Sequence, residues 1–127
     1  MLKKGLSLVL LASSASAHAV DFSAAEICKA AIAVEMGRDT KRMKTHSAGD
    51  GPSISYQRDD GDRFKYRCRI EGDTVVWRTF LNDTREWGRW RNSYSAGDAK
   101  TTFILKGDRL VISNDQAGSK NFTKKDF

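Results

Sequence analysis

This 127-residue chain has little of what most enzymes are recognised by: two histidines, two cysteines and no glycine-rich phosphate loop. A Ser/His/Asp triad cannot be built when His46 is the one histidine outside the N-terminal segment. One cysteine pair with a single nearby His falls short of the four ligands of a structural zinc site. Paired carboxylates for glycoside hydrolysis remain formally available in Glu35, Glu71 and Glu86, but no spacing selects a pair. Asp59, Asp60 and Asp62 surround a glycine without the alternation of an EF-hand loop. No catalytic residue, metal or cofactor is therefore expected. Long apolar runs are also missing after residue 20, so no transmembrane segment is expected.

The first nineteen residues are organised differently. Lys3 and Lys4 precede an apolar stretch from Leu6 to Ala12, too short to span a bilayer, and small residues follow from Ser13 to Ala19. Charge, apolar run and small residues occur in the order of a cleaved secretory signal. Ala17-His18-Ala19 places cleavage before Val20, with cleavage after Ala17 as the second choice. No cysteine sits at either point, so a lipid anchor is not expected. The reading is 1–19 as signal and 20–127 as one domain, periplasmic or secreted. The signal removes two lysines and no acid, which leaves 20 basic against 16 acidic residues, a net +4.

In an oxidising compartment Cys28 and Cys68 read as a disulfide. Its loop of about 40 residues is worth roughly 4 kcal/mol in the loop-entropy description. Ser23 with Glu26 forms a capping box, Phe22 with Ile27 a hydrophobic staple, and Gly37 a C-terminal stop, which predicts a helix over 24–36. Residues 38–53 read as loop, with a helical turn possible over 40–44.

From Ile54 the chain alternates. Phe64, Tyr66, Cys68 and Ile70 share one face of a strand, and Lys65, Arg67 and Arg69 the other. A two-residue turn at Gly72-Asp73 pairs Cys68 with Trp77 and Arg67 with Arg78. A turn at Asp59-Asp60-Gly61 pairs Tyr56 with Phe64, and one at Gly107-Asp108 pairs Leu105 with Leu110. Trp87 and Trp90 stand three apart and break the alternation, and Gly88 marks a bulge. Residues 92–99 read as loop and the polar tail after Asn114 as frayed, with Phe122 and Phe127 available to dock. The expected fold is α+β: one N-terminal helix on a five- to six-stranded antiparallel meander, stapled by the disulfide, with the other sheet face open to solvent or a partner.

That open face is where function is expected. Like charges opposite one another on paired strands are unfavourable, and no acid on these strands separates Arg67 from Arg78. Lys65, Arg67, Arg69, Arg78 and Phe80, extended by Trp87, Arg89, Trp90 and Arg91, form a candidate docking surface for an acidic partner, either a protein or an anionic polymer. One of the two tryptophans is expected in the core and one outside. The leading expectation is a non-enzymatic exported binding protein, with an inhibitor-type module as one version. Alternatives are a small secreted hydrolase acting on nucleic acid or glycan, and a structural or stress-related envelope protein without a discrete site. Oligomeric state is not legible. Mass spectrometry of the exported protein should find Val20 at its N-terminus; a chain still carrying Met1 in the envelope fraction would overturn the signal reading.

Overall fold

Helix α1 (Ala24–Met36) is set at both ends by local chemistry. The Ser23 hydroxyl accepts the Glu26 N–H at 3.1 Å, and the Glu26 carboxylate accepts the Ser23 N–H at 2.9 Å. Gly37 ends the helix in the left-handed conformation. The buried side holds Ile27, Cys28, Ala30, Ala31, Ile32 and Ala33. These small residues let the sheet backbone come close. The coordinates are a computed structural model that describes residues 21–46 and 50–127; the predicted signal lies outside the described residues.

Eight antiparallel strands follow: β1 (Lys44–His46), β2 (Ser53–Gln57), β3 (Arg63–Glu71), β4 (Thr74–Leu81), β5 (Glu86–Trp87), β6 (Thr101–Lys106), β7 (Arg109–Asn114) and β8 (Gly118–Phe122). Their order is β1-β2-β3-β4-β6-β7-β8, with β5 paired to the end of β4. The sheet curls around α1, which touches β2, β3 and β4 as well as β7 and β8. The α+β class agrees with the sequence reading, as does the single α-helix among the described residues, but five or six strands were too few.

The added strands are β1 and β8. Both are short, polar and at the sheet edges, so neither shows the apolar alternation that marks a strand. The expected helical turn is a 3₁₀ turn at Thr40–Arg42, and β1 follows it directly. The tail is tied down rather than frayed. Phe122 is 2% exposed, Phe127 packs on both Phe22 and Phe122, and the Thr40 hydroxyl donates to the Asp126 carbonyl.

Strand register matches the turn chemistry. Cys68 pairs with Trp77 and Arg67 with Arg78 in β3–β4, Tyr56 with Phe64 in β2–β3, and Leu105 with Leu110 in β6–β7. Cys28 and Cys68 are both fully buried and joined, with Cα atoms 5.8 Å apart. The bridge fastens the first turn of α1 to the middle of β3. Around it Ile32, Ile54, Tyr66, Trp77, Leu110 and Ile112 form the core. Full burial of such a side chain contributes about 1.5–3 kcal/mol.

Gly51 has a particular duty. Its φ is +133°, and a Cβ there would stand 2.3 Å from the Cys68 carbonyl oxygen. Glycine is what lets residues 50–52 press onto the β3 backbone, where the Cys68 N–H donates to the Pro52 carbonyl at 2.9 Å. Among the described residues no helix is long and apolar enough to cross a membrane. The double variant Cys28→Ala/Cys68→Ala should lose about 3–4 kcal/mol in urea unfolding. A loss under about 1 kcal/mol would mean that packing alone holds the helix on the sheet.

Candidate functional site

Two arginines facing each other across β3 and β4 should repel, and the chain resolves this with aromatic rings. The Arg78 guanidinium carbon lies 4.5 Å from the Trp90 ring centre and 5.3 Å from that of Trp87. Arg67 sits 4.4 Å above Trp87, and Arg69 4.5 Å above Trp90. Each arginine therefore has a ring between it and its like-charged neighbours, an interaction worth about 0.5–2 kcal/mol per pair depending on desolvation. One carboxylate serves both central charges: Asp50 forms an ion pair with Arg67 at 2.8 Å and accepts a hydrogen bond from Arg78 at 3.1 Å. Asp50 reaches them because Gly51 lets its loop lie on β3.

A bulge brings both tryptophans to one face. The Gly88 N–H donates to the Thr79 carbonyl and the Arg91 N–H to the Trp77 carbonyl, both at 2.8 Å. The first strand advances three residues while β4 advances two, so one residue is extra. Without it, Trp87 and Trp90 would point to opposite sides. The fit at Gly88 is tight, since a Cβ there would lie 3.3 Å from the Thr79 carbonyl oxygen.

The same bulge turns two predicted surface residues away. Arg89 makes paired contacts of 2.7 and 2.8 Å to the Asp98 carboxylate, which also accepts the Ser93 N–H. Those hydrogen bonds, Arg89 first, hold Asp98 down at about 2, below the usual carboxylate range. Arg91 lies on the inward side, 5.7 Å from the Trp77 ring centre.

The expected open face is thus partly closed by the chain itself. Val76 has outward parity beside Arg69, yet it is 1% exposed. Arg67 and Arg78 keep 20% of their side-chain surface, and their Nε atoms are buried without a hydrogen-bond partner. The Arg69 Nε is beside Glu71 in an ion pair, at an angle that makes no hydrogen bond. Trp87 and Trp90 are both half-buried, so the expectation of one in the core and one outside is replaced by two rings within one stack. Phe80 closes its end, edge-on to Trp87 at 5.4 Å and capped by the Lys65 ammonium at 4.6 Å.

Beside the stack lies an open groove of about 1020 Å³ over the outward side of β1, β2 and β3. Six of its fourteen lining residues are Lys or Arg, and none is Asp or Glu. Strand β2 supplies the floor with Ser53 and Ser55. Lys44 and His46 rise on the β1 side, and Arg63, Lys65 and Arg67 on the β3 side. Lys65 and Arg67 were legible as candidates; Lys44 and His46 were not, because 38–53 reads as loop until Ser53-Ile54-Ser55-Tyr56-Gln57 is counted as an alternating strand, and Arg63, which shares the parity of Lys65, gains its place only from the groove.

Other polar groups are occupied elsewhere. Asp59 pairs with Arg42, and Asp60 and Asp62 with Arg58. Among the described residues no cluster of three His, Cys, Asp or Glu is arranged to hold a metal. Glu35 accepts from the buried Asn114 amide, far along the chain from Glu71 and Glu86. His46 Nε2 stands 2.8 Å from the Ser55 Oγ in the groove.

Trp90→Ala should cost about 3 kcal/mol, the low end for a large aromatic because the ring is half-buried. Urea unfolding measures it, and a change below about 0.5 kcal/mol would show the stack to be ornamental. No protein-family model matches this chain, and comparison with curated proteins and with solved structures gives no match.

Proposed function

We propose that the chain is an exported, non-enzymatic binding protein that docks an acidic partner on the basic side of its sheet. One observation carries this reading: a groove lined by six cationic side chains and no carboxylate; of the six, only Arg42 and Arg67 pair with acids outside the lining among the described residues, Asp59 and Asp50. Such a wall raises the local concentration of anions and speeds their encounter. The stack beside it favours a rigid surface, since Trp87 and Trp90 fix the arginines that would otherwise sample many rotamers. An inhibitor that plugs an acidic cleft is a concrete version. The buried disulfide is compatible with an oxidising compartment.

The hydrolase alternative has one observation in its favour, the His46–Ser55 contact, which is within reach for a base and a hydroxyl nucleophile. Among the described residues no carboxylate hydrogen-bonds the other ring nitrogen of His46, so nothing orients the ring as a triad requires.

Lys44 and Lys65 are exposed and make no ion pair with Asp50; Lys65 touches only the end of the stack, over Phe80 and the edge of Trp87, so they are cleaner probes than Arg67 or Arg78. The variant Lys44→Glu/Lys65→Glu should stay folded, with its melting temperature lowered by no more than about 8 °C, and lose about tenfold or more in affinity for poly-glutamate at low salt, as expected for two reversed charges. Unchanged affinity would remove the groove from the proposal. Cleavage of a polymer that disappears in Ser55→Ala would transfer the conclusion to the hydrolase reading.

A further inference from the structure

The groove has a direction and a pitch, and both bear on what it holds. Cross-strand pairing sets Lys44 opposite Ser55 and Ser55 opposite Lys65; His46, Ser53 and Arg67 make the next row. One row reads Lys, Ser, Lys and the next His, Ser, Arg. The small serines of β2 lie between two ridges, so the groove is a trough running along β2. Neighbouring strands are about 4.8 Å apart, which separates the ridges by about 10 Å, the width of one extended chain.

Along the β3 ridge, Arg63, Lys65 and Arg67 are two residues apart and share one face. Strand rise makes that pitch about 6.6–6.8 Å. An extended peptide bearing acids at every second residue presents its carboxylates at this same pitch. Single-stranded nucleic acid needs free aromatic faces for its bases. Here Lys65 caps Phe80, Arg58 lies 5.1 Å from the Phe64 centre, and Arg67 covers Trp87.

We propose that the trough takes an extended acidic peptide segment of the partner, with Asp or Glu at alternate positions. Arg63 and Lys65 meet successive carboxylates, and Lys44, level with Lys65 on the opposite ridge, faces the second of them. Arg67 is already shared with Asp50 and closes that end. The Ser55 hydroxyl and the Gln57 amide stand on the floor between the ridges, where they meet the backbone of the occupant. This inference rests on the binding reading above and narrows it to one ligand class and one register.

The test uses the mature wild-type chain and two synthetic peptides of equal composition. One is Glu-Ser-Glu-Ser-Glu-Ser-Glu, and the other has the four Glu in one block followed by three Ser. Titration by fluorescence anisotropy at low salt should show the alternating peptide binding about fivefold more tightly, near the upper range for one exposed ion pair. Lys65→Gln should remove most of that difference while lowering the melting temperature by no more than about 8 °C, the loss of one exposed ring contact. Equal affinities for the two peptides overturn the register. So does tighter binding of an equally charged oligothymidylate or sulfated oligosaccharide than of the alternating peptide; in either case the basic-groove reading survives. If none of these polyanions binds, both proposals fall.

Discussion

The Cys28–Cys68 bond decides which way β3 faces. A strand has two sides, and moving its parity by one residue would carry Lys65, Arg67 and Arg69 into the core and expose Tyr66 and Ile70. With Cys68 joined to the first turn of α1, that exchange is closed off. Tyr66 and Trp77 then pack beside the bridge, their rings edge-to-face at 5.8 Å. Four cationic side chains, Arg63, Lys65, Arg67 and Arg69, are left on the outward side, the last two of them flanking Arg78 from β4. The rest of the molecule's outer surface follows from that placement.

Placing Arg67 against Arg78 has a cost, and three features offset it. Guanidinium groups are flat and weakly hydrated, so they tolerate stacking between rings where an ammonium would not. The bulge after Gly88 supplies both rings from one short segment. Asp50, brought in by the close approach of Gly51, supplies the counter-charge. The balance is incomplete, since the Nε atoms of Arg67 and Arg78 stay buried and unpaired. A site arranged this way is stiff. Its cations are held in fixed positions instead of ranging through solvent.

The outward side therefore has two parts with different characters. Over β3–β4 the charges are internal, spoken for by rings and by Asp50. Over β1–β3 they line an open trough with a polar floor and no acid of its own. A partner would meet a stacked wall on one side and exposed lysines on the other. That combination favours an elongated anionic ligand over a compact one, because charge is distributed along β2 and is not gathered at a point.

Much of this was legible in local chemistry. The capping box, the left-handed glycine stop and the three hairpin turns each depend on residues within a few positions of one another, so helix bounds, registers and the Arg67–Arg78 confrontation follow from the sequence by itself. The cysteine pairing does too, because only one connectivity exists. Tertiary structure decided the rest. Strands β1 and β8 are polar edge strands whose pairing partners, not their own patterns, make them strands. That Trp87 and Trp90 lie on one face depends on a single extra residue in the ladder along β4. Asp50 finds its arginines only because a glycine loop rests on a backbone carbonyl 17 positions away. Local periodicity set which charges faced outward; only the folded chain divided them into a closed stack and an open trough, because that division requires rings and a carboxylate from segments distant in sequence.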